Sequence, residues 1–263
     1  QAVASREFPA LSGHMSLFIA FSALLVALIS RISQRRRIGF EAPFANRATR
    51  QDQQTPGLFI ELFPLAADTD GSTSFVDVGR QIQQQMPAML KHGLPGSSVP
   101  AGNNGCDAVL NFIPFQLGTF GGEAVQAEFV HPGAHDAAHV LRLQVWDMLS
   151  DGGLTIMFDL NRAVVARENQ ETVVGYFKSL VASFIDEPHT RVAAMPLDER
   201  AIVRHEPGDA VAAGPLQAPG VVDGPGEGLL HVDVLPLLHA GLGHDGVEVV
   251  RGGDDHRVQI PLP

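Results

Sequence analysis

Residues 16–37 read SLFIAFSALLVALISRISQRRR, an oily run followed by a knot of arginines. Such a stretch is either a membrane anchor or the inside of a folded domain. A spanning helix needs about 20 consecutive, mainly apolar residues. Here the run from Leu17 to Ile29 is broken by Ser22 and closed by Ser30 and Arg31, shorter than a span. A signal peptide carries its basic residues ahead of its apolar core, whereas here they follow it. Ser16 reads as the N-cap, and Arg35, Arg36 and Arg37 sit past the helix end, where cations suit the dipole. The stretch predicts a buried core helix rather than a membrane anchor.

The 263 residues suggest one or two domains, and a hydrophobic share of 45% supplies enough apolar side chain for a core. The net charge of −11 argues against binding nucleic acid through a basic surface. Arginines make the chain basic up to Arg50, and the remainder is acidic. The single cysteine, Cys106, excludes an internal disulfide framework and a Cys-based zinc site, and fits a reducing, cytoplasmic compartment. The chain opens on Gln1 rather than Met, and a start inside an element predicts a fragment of a longer polypeptide.

Outward from the core helix, Ile38 to Phe40 reads as a short strand and residues 47–56 as a long polar loop. Leu58 to Leu65 reads as a second strand. Ser74 then caps a helix with Phe75, Val78, Ile82, Met86 and Leu90 at helical spacing. Its glutamines mark the wet face, and Pro87 kinks or ends it. A Gly/Pro/Ser/Asn loop spans 93–105, and DAVLNFIPF follows as a strand. Leu141, Leu143 and Val145 alternate with polar positions, as do Leu154, Ile156, Phe158 and Leu160, with Asp151-Gly152-Gly153 between them. This is a hairpin with one buried face. Val173, Val174, Phe177, Leu180, Val181 and Phe184 form an amphipathic helix, capped by Asn169 and followed by Pro188. From about Arg204 the chain has no aromatic, Lys, Ser, Thr or Asn and no sustained period. The region 204–263 therefore reads as a low-complexity tail, either disordered or translated from a shifted frame, with LLHVDVLPLLHAG able to fold locally.

Several of these segments resemble the C-terminal half of a condensation domain of nonribosomal peptide synthetases. The helix SLFIAFSALLVALISR is similar to that family's long core helix. IGFEAPFANR is similar to its I-G-x-P-x-x-N-R motif, matched at Ile38, Gly39, Pro43, Asn46 and Arg47 with one residue inserted before Pro43. GLFIELFPLAAD resembles G-x-F-V-N-T-x-P-L at Gly57, Phe59, Pro64 and Leu65, with Glu61 where the family has Asn. KHGLPG matches H-Q-D-x-P-F-E only at His92 and Pro95. AVLNFIPF resembles the strand carrying an Asn-Phe pair, here Asn111 and Phe112, and MPLDERAI the exit sequence. The run FVHPGAHDAAHVLRLQVWD suggests a less typical branch, one accepting acyl chains.

The resemblance implies an α/β fold. Residues 1–203 would be the C-terminal lobe of a chloramphenicol acetyltransferase-like (CoA-dependent acyltransferase) fold, a mixed sheet with packed helices, followed by the irregular tail. It also implies a function. Carrier domains of neighbouring synthetase modules deliver thioesters on phosphopantetheine arms, and an amine attacks one to form an amide. The H-H-x-x-x-D-G motif of that chemistry belongs to the N-terminal lobe and is absent here. In HAGLGHDG, His244 directly precedes Asp245, without the three intervening residues the motif requires. The implied protein is therefore half an enzyme, inactive alone, binding no metal or cofactor directly. Epimerisation and ester-forming domains share the lobe and stand as alternatives, beside a membrane-anchored non-catalytic protein and a carrier-binding scaffold.

The candidate channel or loop residues are Gly39, Pro43, Asn46, Arg47, Gly57, Phe59, Glu61 and Asn111. Gly39, Pro43, Asn46 and Arg47 shape the strand exit and loop, with a phosphate or carrier contact as Arg47's other role. Glu61 faces outward from its strand or, alternatively, into the channel as a desolvated carboxylate. His131, His135, Asp136 and His139 read as a surface turn rather than converging metal ligands. Trp146 packs in or beside the hairpin. Cys106 has no sequence-adjacent base to make it a nucleophile. An exposed lobe interface predicts poor solubility.

Overall fold

The structure, a computed structural model, describes residues 1–47, 49–92, 106–115, 118–125, 139–146, 153–197, 229–233, 249–252 and 255–261. After a short helix α1 (Ala2–Glu7), the apolar run forms α2 (Gly13–Ser33). The helix starts earlier than Ser16, with Ser12 at the cap position. The Ser16 and Ser22 hydroxyls instead donate to the carbonyls of Ser12 and Phe18, each at 2.8 Å. Buried serines are tolerated in a helix when the preceding turn accepts their proton. At 21 residues α2 is long and apolar enough to cross a membrane, so length does not decide the matter. Burial does: 83% of its most apolar window is covered inside the protein. A helix that is apolar all round needs packing partners all round.

Gln34 ends α2 in the left-handed region (φ 57°), and the chain turns into β1 (Arg37–Phe44). This strand extends past Phe40 through Pro43, and it pairs antiparallel with β2 (Glu61–Asp68), Phe44 opposite Glu61. Between them, Thr49 and Asp52 form a reciprocal capping box for a short helix α3 (Arg50–Gln54), inside the stretch expected to be loop. β2 is an edge strand, and it begins only where Phe44 offers a partner, three residues after Leu58. Pro64 suits an edge because it has no ladder donor to lose.

Helix α4 (Phe75–His92) follows, with Ser74 capping it through the Asp77 amide at 3.2 Å. Pro87 does not end it. Its missing donor falls near the exposed last turn, where the loss is smallest. Gln81 and Gln85 are not simply wet. The Gln85 amide accepts from Ala66 N–H at 3.2 Å and donates to Ala66 C=O at 2.7 Å. Gln81 does the same for Asp68, at 2.9 and 3.0 Å. One helix turn apart, the two side chains stand in for a neighbouring strand along β2. Gly79 lets α4 approach α1, since a Cβ there would meet the Phe8 ring at 2.4 Å.

β3 (Ala108–Ile113) lies parallel to β1, and β6 (Leu141–Trp146) parallel to β3. Two-residue strands β4 (Thr119–Phe120) and β5 (Glu123–Ala124) pair apart from the main sheet. β6 and β7 (Gly153–Leu160) form the expected antiparallel pair, Leu141 opposite Leu160 and Trp146 opposite Thr155. Residues 147–152, between the two strands, lie outside the described residues. The second face of this pair is also largely covered: Gln144, Trp146 and Met157 are buried, and Trp146 packs with Met157 and Ile113.

Helix α5 (Gln170–Asp186) starts after a 3-10 turn, and Asn169 makes no side-chain cap. Aromatic pairs join the helices to each other and to the sheet: Phe158 with Phe177 at 5.1 Å, Phe75 with Phe184 at 6.0 Å and Phe18 with Phe112 at 6.2 Å. The Arg31 guanidinium donates to the Met195 carbonyl at 2.9 Å and so ties the exit segment to α2. Beyond Leu197, the described residues are three strands: β8 (Leu229–Asp233), β9 (Val249–Gly252) and β10 (Asp255–Pro261). The tail, irregular by composition, thus carries strands where valines and Ile260 cluster. The described main sheet has the order β2-β1-β3-β6-β7-β8-β10-β9 and is mixed.

Candidate substrate cleft

β1 and β3 run in the same direction, and a cleft opens where both end. Pro43 and Phe44 line it from β1, Asn111 and Phe112 from β3. Met15 and Phe18 close it from the first turns of α2, and Ile60 from the segment ahead of β2. It encloses about 400 Å³, within the roughly 300–1,000 Å³ usual for small-molecule sites. Ligand sites in open α/β sheets favour the carboxyl ends of parallel strands. Phe18 and Phe44 meet edge to face at 5.2 Å and give the wall its apolar character. Asn111 supplies an amide whose Nδ2 donates to Gln144 Oε1 at 3.3 Å, and Gln144 in turn reaches Met157 Sδ at 3.6 Å. That chain across β3, β6 and β7 fixes the orientation of Asn111.

Of the residues singled out from the sequence, Pro43 and Asn111 line this cleft. Arg47, Gly57 and Phe59 form a second group beside it. The Arg47 guanidinium donates to the carbonyls of Asp52, Thr55 (2.7 Å) and Gly57 (2.7 Å), and lies 4.2 Å from the Phe59 ring centroid. Gly57 has φ 147°, a region that disfavours side chains, which lets its carbonyl turn to Arg47. Asn46 adopts φ 48°, the left-handed conformation Asn tolerates at a turn. The structural reading of Arg47 is therefore the one its contacts support. Glu61 does not face outward: it is 6% exposed, on the same face of β2 as buried Phe63 and Leu65. Gly39 lies toward the other end of β1, where its N–H donates to Asp107 Oδ2 at 3.3 Å.

That opposite end holds a polar cluster. Asp107 also pairs with Arg35, and His139 Nε2 lies 3.7 Å from Glu41 Oε2. Burial, reinforced by the carboxylates of Glu41 and Asp107, pushes the Cys106 thiol up to about 11, so it is not a nucleophile at neutral pH. Among the described residues no three His, Cys, Asp or Glu side chains converge on a metal position. His131, His135 and Asp136 lie outside the described residues, as do Pro95 and the side chain of His92.

The cleft walls Met15, Phe18, Phe44, Ile60 and Phe112 were not legible as site residues. Apolar side chains at helix and strand spacing read as core, and only the ends of β1 and β3 leave them open. The order of the elements around the cleft, from core helix to exit segment, is that of a known family. The sequence profile described as "Condensation domain" matches residues 12–201. The chain belongs to the condensation-domain family. All the motif segments quoted above, from the core helix to the exit sequence, fall within or at the end of that match. HAGLGHDG falls outside both the match and the described residues.

Solved condensation domains share the fold. The starter condensation domain of rhizomide synthetase RzmA is 18% identical, with a TM-score of 0.59 over 71% of this chain and 46% of that one. The first condensation domain of the CDA synthetase is 17% identical, with a TM-score of 0.51 over 74% of this chain and 45% of that one. The fold is thus the mixed α/β, chloramphenicol acetyltransferase-like architecture of condensation domains. The chain spans less than half the length of these solved domains. The comparison with curated proteins yields no match.

Proposed function

We propose that the chain is the C-terminal lobe of a condensation domain that joins a carrier-bound acyl or aminoacyl thioester to an amine. The observation that carries this reading is the family match over residues 12–201 in a chain spanning 46% of a solved domain. The amine nitrogen attacks the thioester carbonyl, a C–N bond forms, the C–S bond breaks and the phosphopantetheine thiol leaves. This lobe contributes the cleft at the strand ends and the Arg47 loop beside it. The histidine that handles the amine proton or the tetrahedral intermediate belongs to the other lobe.

The apolar surface around the cleft supports a covering partner. Leu58 is 86% exposed and Leu62 42%, on either side of cleft-lining Ile60. Phe115, just past Pro114, is 58% exposed. Such residues in one neighbourhood mark an interaction surface.

The test supplies the missing lobe, carrying H-H-x-x-x-D-G, together with loaded donor and acceptor carrier domains, and follows product by mass spectrometry. Amide is expected only when both lobes are present. Amide from this chain alone, or none from a folded two-lobe complex across a panel of acyl and aminoacyl donors, contradicts the proposal.

A further inference from the structure

β2 and β7 bound the part of the sheet that precedes the tail, and the two strands are built differently. β2 carries Pro64, and Gln81 and Gln85 of α4 bond to its backbone. Such devices keep an edge strand from pairing further. β7 reads GLTIMFDL, eight residues with no Pro, Lys or Arg and with Asp159 as the sole charge. Its stretch 154–158, LTIMF, is uncharged and rich in β-formers, the composition that pairs with a like strand when its edge is bare.

Strands of the tail cover that edge. β8 lies antiparallel to β7, with Thr155 opposite Asp233, Met157 opposite His231 and Asp159 opposite Leu229. β10 continues along the same strand, with Leu154 opposite Ile260 and Gly153 opposite Pro261. Together they take β7 from Gly153 to Asp159. β10 also pairs with β9, so the described sheet ends on β9. That strand is only four residues, VVRG, with a charge and a glycine, features that discourage further pairing.

We propose that the outer edge of β7 is a strand-binding surface, that β8 and β10 of the same chain occupy it, and that this occupancy keeps the chain from pairing with a second copy of itself. β8 and β7 belong to one chain, so their pairing is intramolecular and outcompetes a strand from another molecule at ordinary protein concentrations. The tail then acts as an edge cap for the sheet, a role independent of the condensation reading.

The experiment uses the full chain. Directly opposed residues of antiparallel strands have Cα atoms about 4.5–5.5 Å apart, within the range a disulfide spans. Thr155→Cys with Asp233→Cys, oxidised and peptide-mapped, is therefore expected to form an intrachain bond, whereas Thr155→Cys with Leu229→Cys, out of register, is not. Leu230→Pro with His231→Pro is the disrupting variant. Neighbouring strand residues direct their N–H groups to opposite sides, so one of the two lost donors faces β7. At high dilution the amides of residues 153–160 are expected to exchange about tenfold faster in that variant than in the parent, with exchange in α2 unchanged. At higher concentration light scattering is expected to show dimers or larger species where the parent stays monomeric. No bond in the first cysteine pair, equal bonding in both pairs, or an interchain bond overturns the assignment of β8 to this edge. A double-proline variant that stays monomeric over the same concentrations overturns the protective role.

Discussion

The guanidinium of Arg47 gathers three carbonyls of one loop and stacks on Phe59. A lysine offers a point charge without the planar fork, so Arg47→Lys and Arg47→Ala both release residues 50–57. The expected global loss is about 1–3 kcal/mol, with a larger rise in amide hydrogen exchange within that loop than elsewhere; unchanged loop exchange would remove Arg47 from this role. The motif match made Arg47 conspicuous in the sequence, but not what it holds, because its acceptors are backbone carbonyls that any residue type could supply. Asp70 organises the next turn in the same local way. Its carboxylate accepts from the Ser72 hydroxyl and amide and from the Thr73 hydroxyl and amide, all at 2.7–2.9 Å, which holds its pKa well below the usual range. Ser74 depresses Asp77 likewise. A depressed carboxylate stabilises the fold above its unfolded pKa of about 4 and loses that contribution as pH falls through its folded value. The melting temperature of the parent should fall as pH drops below about 4, and that of Asp70→Asn should fall less steeply over the same interval. Equal slopes would exclude Asp70 from the acid response.

Among the elements, α2 and α4 show how much pattern alone conveys. The apolar run of α2 announced a core helix, yet its first turn lay hidden behind Gly13 and His14, which no periodicity favours. The antiparallel pair β6 and β7 was legible as two strands sharing a buried face, since alternation fixes the face, whereas the register came only from the structure. The glutamines of α4 were legible only as polar. That Gln81 and Gln85 face a strand edge depends on β2 being the last strand of the sheet, a property of the whole topology. Gln85→Leu would leave the Ala66 amide and carbonyl without partners, at about 1–3 kcal/mol, and uncover a strand edge. A lower melting temperature together with self-association in light scattering is expected. Gln84→Leu, on an exposed neighbour that makes no such contact, serves as the control. No difference between the two variants would show that the clamp contributes nothing.

At the scale of the molecule, the proposed function makes this chain one lobe of a condensation domain. A cleft opens at the strand ends, apolar side chains stand exposed beside it, and the chain covers less than half of the solved domains it resembles. The family was legible because its motif segments occur in order from the core helix to the exit sequence. The cleft was not, because its walls come from four separated stretches and share no spacing. The central claim is that this chain is the C-terminal partner of a lobe bearing the catalytic histidine. Sequencing the DNA immediately upstream of the Gln1 codon tests it most directly. The account predicts an open frame, continuous with this one, that encodes H-H-x-x-x-D-G. An in-frame stop codon there, or a continuous frame encoding an unrelated domain, would contradict it.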